Sequence, residues 1–168
     1  MTVEELNALP PADAERALLD CCGSRAWARA VAAARPFTDE AALHASADRA
    51  WDALGRTDRL EAFAAHPRIG ERAATGGGGG AHARWSAQEQ SGTSGAGEDV
   101  ARALLEGNRE YEARFGHVFL IRASGRSAEE MLAALRERLG NDPATELGIA
   151  AEQQREIMHL RLEKLLTP

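Results

Sequence analysis

Ala144-Thr-Glu-Leu-Gly-Ile-Ala-Ala-Glu-Gln-Gln-Arg-Glu-Ile-Met-His-Leu-Arg-Leu-Glu-Lys-Leu-Leu166 carries Leu147, Ala150, Ile157, Leu160 and Leu165 at helical intervals. That spacing predicts one long helix over about 144–166. Gly140-Asn141-Asp142-Pro143 breaks the chain just before it. Upstream, Ser127 with Glu130 matches a capping box that opens a helix through Met131, Leu132 and Leu135 to Leu139. Another long helix is expected from about Glu98 to Phe115, with Leu104, Leu105, Asn108 and Tyr111 at helical spacing. Val118 to Ile121 reads as a short extended or irregular apolar run.

The N-terminal half repeats the pattern. Thr2 with Glu5 forms a second capping box, and Pro10-Pro11 opens a helix that Gly23 stops at about Cys22. Ser24 caps a helix bearing Trp27 and Val31, which Pro36 ends. Thr38 is expected to cap a long helix through Leu43, Ala47, Trp51 and Leu54. Thr57 is expected to cap the next, with Leu60 and Phe63 inward, ending at about Ala65 because Pro67 disfavours helical backbone at His66. Nothing alternates with period two over a strand's length. The fold expected is all-α, a single-domain bundle of about eight helices over residues 1–168.

Composition narrows the function classes. The chain has 168 residues, 44% hydrophobic and 27% charged, the profile of a globular domain. With 20 basic and 26 acidic residues the net charge is −6, which excludes the basic footprint of a nucleic-acid binder. No apolar run approaches the length of a membrane span. Met-Thr-Val-Glu-Glu at the start has neither the basic nor the apolar region of a secretory signal, and Leu-Leu-Thr-Pro at the end is not a peroxisomal address. A cytoplasmic protein is expected. Cys21 and Cys22 are adjacent, which suits neither a disulfide nor a zinc site, and read as small apolar residues near a helix end.

Residues 66–85 differ from the rest. Gly76 to Gly80 cannot hold a helix, so a mobile glycine-rich loop is expected at about 72–84. No Gly-Lys-Ser/Thr follows, so it is not a phosphate-binding loop. Just before it, His66 stands at a helix C-terminus, where the dipole favours a protonated imidazole, while Arg68 opposes that. Such a ring can serve as a general acid or base, or merely hydrogen-bond its helix's last carbonyls. Just after the loop, Ser86, Glu89 and Gln90 share one helix face at i, i+3 and i+4. Ser86 and Glu89 also match a capping box, so they are either a helix start or part of a polar site. Were this helix start to meet the His66 end, an imidazole and a carboxylate would converge with hydroxyl and amide donors, as in a small-molecule acid–base site. His44 and His159 lie within helices and His82 in the loop. None has metal-ligand spacing, and no metal is expected. Arg161 could be a solvated or carboxylate-paired residue, or could bind a planar anionic or ureido group.

Six pieces stand in order after Arg35-Pro36-Phe37: His66-Pro-Arg-Ile-Gly-Glu71, Ser86-Ala-Gln-Glu-Gln-Ser-Gly92, Asn108-Arg-Glu-Tyr-Glu-Ala-Arg-Phe-Gly116, Gly125-Arg-Ser127, Arg136-Glu-Arg-Leu-Gly-Asn-Asp142 with Glu146, and Ile157-Met-His-Leu-Arg-Leu162. Together they resemble the OHCU decarboxylase family of purine catabolism over about residues 5–166. OHCU is 2-oxo-4-hydroxy-4-carboxy-5-ureidoimidazoline, an intermediate between urate and allantoin.

The resemblance implies an all-helical carboxy-lyase, usually a homodimer, that decarboxylates this small molecule to (S)-allantoin with no cofactor. It implies that His66 is the catalytic histidine, with Pro67 on the same wall, and that Glu89 joins it in catalysis. It places Ser86, Gln90 and Arg161 in substrate binding, with pocket-lining backbone at Phe119, Leu120, Ile121, Arg122 and Ala123. In two places the chain departs from the family. His117-Val118 stands where relatives carry an aromatic residue and proline, and the glycine pentad is either a lid or simply a disordered stretch. Other readings of the residues are a helical module that binds a protein partner and a helical metal-dependent hydrolase acting on a related ureide.

Overall fold

The computed structural model describes residues 1–71 and 80–167, and all of their regular structure is helical. The order is α1 (Val3–Ala8), α2 (Pro11–Cys21), α3 (Arg25–Ala33), α4 (Glu40–Asp52), α5 (Arg56–Ala64), α6 (Ala81–Glu89), a 3-10 turn at Ser91–Thr93, α7 (Glu98–Phe115), α8 (Ala128–Arg138) and α9 (Pro143–Leu166). The all-α expectation holds. The chain divides into two compact units, Met1–Ala62 with Arg155–Pro168, and Phe63–Gln154.

Several ends form where the sequence places them. Thr2 and Glu5 make the reciprocal capping box of α1, and Ser127 and Glu130 that of α8. Ser24 Oγ accepts the Trp27 N–H to start α3. Two caps differ. Asp39 rather than Thr38 caps α4, its carboxylate accepting the Ala42 N–H at 2.8 Å. α5 starts at Arg56, so Thr57 is inside it. A charged acceptor one residue on satisfies the first-turn donors and adds a favourable helix-dipole interaction that a threonine lacks.

In the first unit α2 packs on α3 and α3 on α4. Leu18, Trp27, Val31, Leu43, Ala47 and Trp51 are buried there. Burial of such side chains contributes roughly 1.5–3 kcal/mol each, an upper estimate given that unfolded chains are partly compact. The Trp27 indole N–H donates to the Ala47 carbonyl at 3.0 Å, which satisfies a polar atom that would otherwise be stranded in the core. The Arg35 guanidinium donates to the Leu6 and Leu9 carbonyls at 2.7 and 2.8 Å and so covers the open end of α1. Asn7 and the Phe37 backbone exchange two bonds of 2.8 Å. The peptide between Arg35 and Pro36 is cis.

In the second unit α7 packs on α8. Leu104, Tyr111, Phe115, Phe119, Ile121, Met131, Leu132 and Leu135 form its core. Gly107 permits the approach: a Cβ there would stand 2.5 Å from Leu135 Cδ2. Glu146 is fully buried and its carboxyl group is bonded on both oxygens. It accepts from Arg138 Nε at 2.7 Å, Tyr111 OH at 2.5 Å and Asn141 Nδ2 at 3.1 Å. Burial and the Glu146 bond push the Tyr111 phenol up. No helix among the described residues is long and apolar enough to cross a membrane.

Candidate active site

The segment after α5 is shaped by the second unit. The His66 N–H donates to the Phe63 carbonyl at 3.1 Å, a turn that ends the helix where Pro67 forbids its continuation. Arg68 then pairs with Glu112 of α7 through Nε and Nη2, at 2.8 and 3.1 Å. Asn108 of α7 donates to the Ile69 carbonyl at 2.9 Å. Gly70 has φ of +81°, a conformation L side chains rarely adopt, and its N–H donates to Gln90 Oε1 at 3.0 Å. The loop bearing His66 is therefore fixed to α7 and to the end of α6 by side chains at both places.

A cavity of about 680 Å³ opens against this segment, within the range of small-molecule sites. His66, Pro67, Gly70 and Glu71 line one side, and His82, Ser86 and Gln90 of α6 and its end line another. Of the expected site residues, His66, Pro67, Ser86 and Gln90 thus share one wall system. Glu89 is buried, 7% exposed, but is not among the described residues of that wall. Neither are residues 119–123. Phe119, Leu120, Ile121 and Ala123 are buried in the second unit and Arg122 is exposed. Backbone groups there are also engaged: the Arg122 N–H by Gln153 Oε1 at 2.9 Å, the Leu120 carbonyl by Arg138 Nη1 at 2.7 Å, and the Ala123 carbonyl by the Arg126 N–H at 3.0 Å. Arg161 belongs to the first unit, where it is fully buried and donates to the Asp20 carbonyl.

The helix carrying Ser86 and Glu89 differs from its expected form. It starts at Ala81, with Gly80 at the cap position and no side-chain cap. Ser86 is mid-helix and Glu89 is its last residue, so neither is part of a capping box. The reason is local: Ala81-His-Ala-Arg-Trp85 are adequate helix formers, so the helix begins five residues before Ser86. The expected loop at 72–84 therefore ends before Ala81. Its remainder, including Gly76 to Gly79 and any lid, lies outside the described residues.

The same shift reveals a residue that sequence reading passed over. His82 falls i−4 from Ser86 and i−8 from Gln90, on the cavity face of α6, and its ring centroid is 5.5 Å from that of His66. The signal was present as helical spacing, but it becomes readable only once α6 is known to begin at Ala81. His117, the departure from the family pattern, packs instead against Phe63, Tyr111 and Phe115, with centroids 5.4, 5.5 and 6.2 Å away.

A cavity of this size, walled by two imidazoles, three hydroxyls and a primary amide, has the dimensions and the donor set that a small-molecule acid–base site requires. The OHCU decarboxylase family profile matches residues 7–163. The uric acid degradation bifunctional protein TTL of Arabidopsis thaliana is 40% identical over 150 residues, which are 88% of this chain and 45% of that protein, so this chain spans under half its length. The 2-oxo-4-hydroxy-4-carboxy-5-ureidoimidazoline decarboxylase of Amia calva is 34% identical over 83% of this chain and 79% of that one. A crystal structure of OHCU decarboxylase in the presence of (S)-allantoin superposes with a TM-score of 0.77 at 34% identity, covering 89% of this chain and 96% of that chain. The chain belongs to the OHCU decarboxylase family.

Proposed function

We propose that this chain decarboxylates OHCU to (S)-allantoin in urate degradation, with the chemistry in the cavity beside His66. Beyond family membership, the supporting observation is that His66-Pro67 and Ser86/Gln90, about twenty residues apart in sequence, line the same small-molecule cavity. In the reaction the bond to the carboxylate breaks, carbon dioxide leaves, and the electron pair passes through the ring C=N bond to a ring nitrogen, which takes a proton from solvent. His66 takes the proton of the substrate hydroxyl, which becomes a carbonyl, and delivers a proton to one face of the carbon bearing the ureido group. Ser86 and Gln90 hold substrate carbonyls from the α6 side, and Pro67 keeps the opposite wall rigid. Glu89, buried at the end of α6 and off the described wall, enters this reading through the family resemblance, either as the group that disfavours the charged carboxylate or as the partner of the ureido N–H groups. The homodimer that the resemblance implies and a cytoplasmic location are part of this proposal, and sedimentation equilibrium decides the first.

The test is circular dichroism of allantoin formed from freshly generated OHCU. Unaided decay gives racemic product, so optical activity isolates the enzyme's contribution. A rapid rise of the (S)-allantoin signal is expected, and His66→Asn should lower it by roughly 10²–10⁴-fold, the usual contribution of a general acid–base group, while leaving the helical spectrum unchanged. Racemic product at the background rate from the unaltered protein would overturn the reading.

A further inference from the structure

Gln154 belongs to the first half of α9 and is completely buried, yet no part of the reaction scheme uses it. Its Oε1 lies 2.8 Å from Nε2 of His66. Gln154 is not among the described residues of the cavity wall, whereas His66 is. The preceding residue does a parallel task, since Gln153 Oε1 accepts the Arg122 N–H. Two consecutive glutamines of α9 thus brace two loop segments of the same unit.

The choice of an amide has a chemical consequence. A side-chain carbonyl oxygen can only accept, so the ring nitrogen facing it must carry hydrogen. A carboxylate in the same place would also fix the tautomer but would stabilise the imidazolium by its charge. A glutamine fixes the ring without adding charge. We propose that Gln154 is a positioning residue for His66: its buried carbonyl holds the ring as the Nε2–H tautomer, so that Nδ1 is the nitrogen that gains and loses the proton. This rests on the reading of His66 as the acid–base group. The titratable neighbours on the same cavity are His82 of α6, 5.5 Å away ring to ring, and Glu71.

Three measurements test it. Nitrogen-15 long-range correlation spectra of the unaltered protein, with His66 assigned by comparison with His66→Asn, should show neutral His66 with its hydrogen on Nε2. A ring found as the Nδ1–H tautomer would overturn the proposal without any stability question. Gln154→Glu should move the His66-dependent limb of the kcat profile to higher pH by about 1 unit or more, as an adjacent opposite charge does. Gln154→Met, which keeps the volume and removes the acceptor, should lower kcat at least tenfold with a smaller change in KM. A folded Gln154→Glu protein whose profile does not move, or a Gln154→Met protein with unaltered kcat, would overturn it. Were His66→Asn itself fully active, the acid–base reading would fall first. A dead His66→Asn with unmoved Gln154 variants would sink the positioning role alone.

Discussion

Cys21 and Cys22 show how environment decides what a residue does. Both are fully buried in the first unit. Loss of solvation pushes the Cys21 thiol up and takes the Cys22 thiol up to about 12, against the opposing pull of the Arg161 charge on each. A thiol so far from its ionised form is neither nucleophile nor metal ligand. Neither should react with a disulfide reagent in the native protein, and both should react after unfolding in urea. Rapid native labelling would show that this corner opens. Glu146 is the opposite case, a buried carboxyl group paired with Arg138 and bonded by Tyr111 and Asn141. Glu146→Ala leaves the Arg138 guanidinium without its partner in the core. It should cost about 3–5 kcal/mol in a urea titration, the range for breaking a buried ion pair. Arg138, Asn141 and Glu146 all belong to stretches that carry the family resemblance, so part of that resemblance is the signature of a folded unit and not of catalysis.

Helix ends and turns set where the functional side chains stand. The capping box of α8 places Glu130 N–H on Ser127 Oγ at 3.2 Å and Ser127 N–H on the Glu130 carboxylate at 2.9 Å. Ser127→Ala should cost about 1 kcal/mol, read as a lower unfolding midpoint, with turnover preserved. Gly92, just beyond α6, is constrained for another reason. A Cβ there would lie 2.1 Å from the Arg126 carbonyl, backbone against backbone, with no flexible side chain to give way. Gly92→Ala must therefore displace the turn that follows Gln90. It should lower both thermal stability and OHCU turnover, and unchanged values for both would show that the turn can move freely. Gly107 differs from it, because the atom its Cβ would meet is the end of the Leu135 side chain and not backbone.

At the scale of the whole molecule the response to acid follows from a chain of groups in the first unit. Asp48 accepts from His159 Nε2 at 2.8 Å and from Arg155, which also binds Asp52. His159 Nδ1 in turn meets His44 Nδ1 at 2.5 Å, with the rings stacked. Only one hydrogen fits between those nitrogens, so the pair resists a second proton. Burial and then the His159 charge push His44 below its ordinary 6.5, against Glu163, Asp48 and Glu40. Asp48 is held below 3.8: burial pushes it up, but bonds and charges from Arg155 and His159 outweigh that. In both cases the unfolded chain binds protons that the folded chain refuses. Stability is therefore full above about pH 6.5 and falls as pH drops through the folded value of His44, then further as it passes that of Asp48. The urea midpoint should be lower at pH 5 than at pH 7.5, and His44→Gln should shrink that difference. An unchanged difference would remove His44 from the acid response.

The features legible from the residues alone are those set at short range. The all-helical class, the two capping boxes, the breaks at glycine and proline, α7 at Glu98–Phe115 and the irregular run after it depend on neighbours a few residues apart, where propensity and periodicity act. The candidate site was half legible. His66, Pro67, Ser86 and Gln90 stand out by residue type and by their resemblance to a family, and they do share a cavity. The rest depended on long-range contact. Ser-x-x-Glu reads equally as a helix start, and only the fold shows that α6 begins at Ala81, which turns Glu89 into a buried C-terminal residue and brings His82 to the wall. Gln154 is one of two unremarkable glutamines until α9 carries it against His66, 88 positions away. A sequence lists the groups that can do chemistry, but a proton's path is fixed by distances of about 3 Å, and those exist only after the chain has packed.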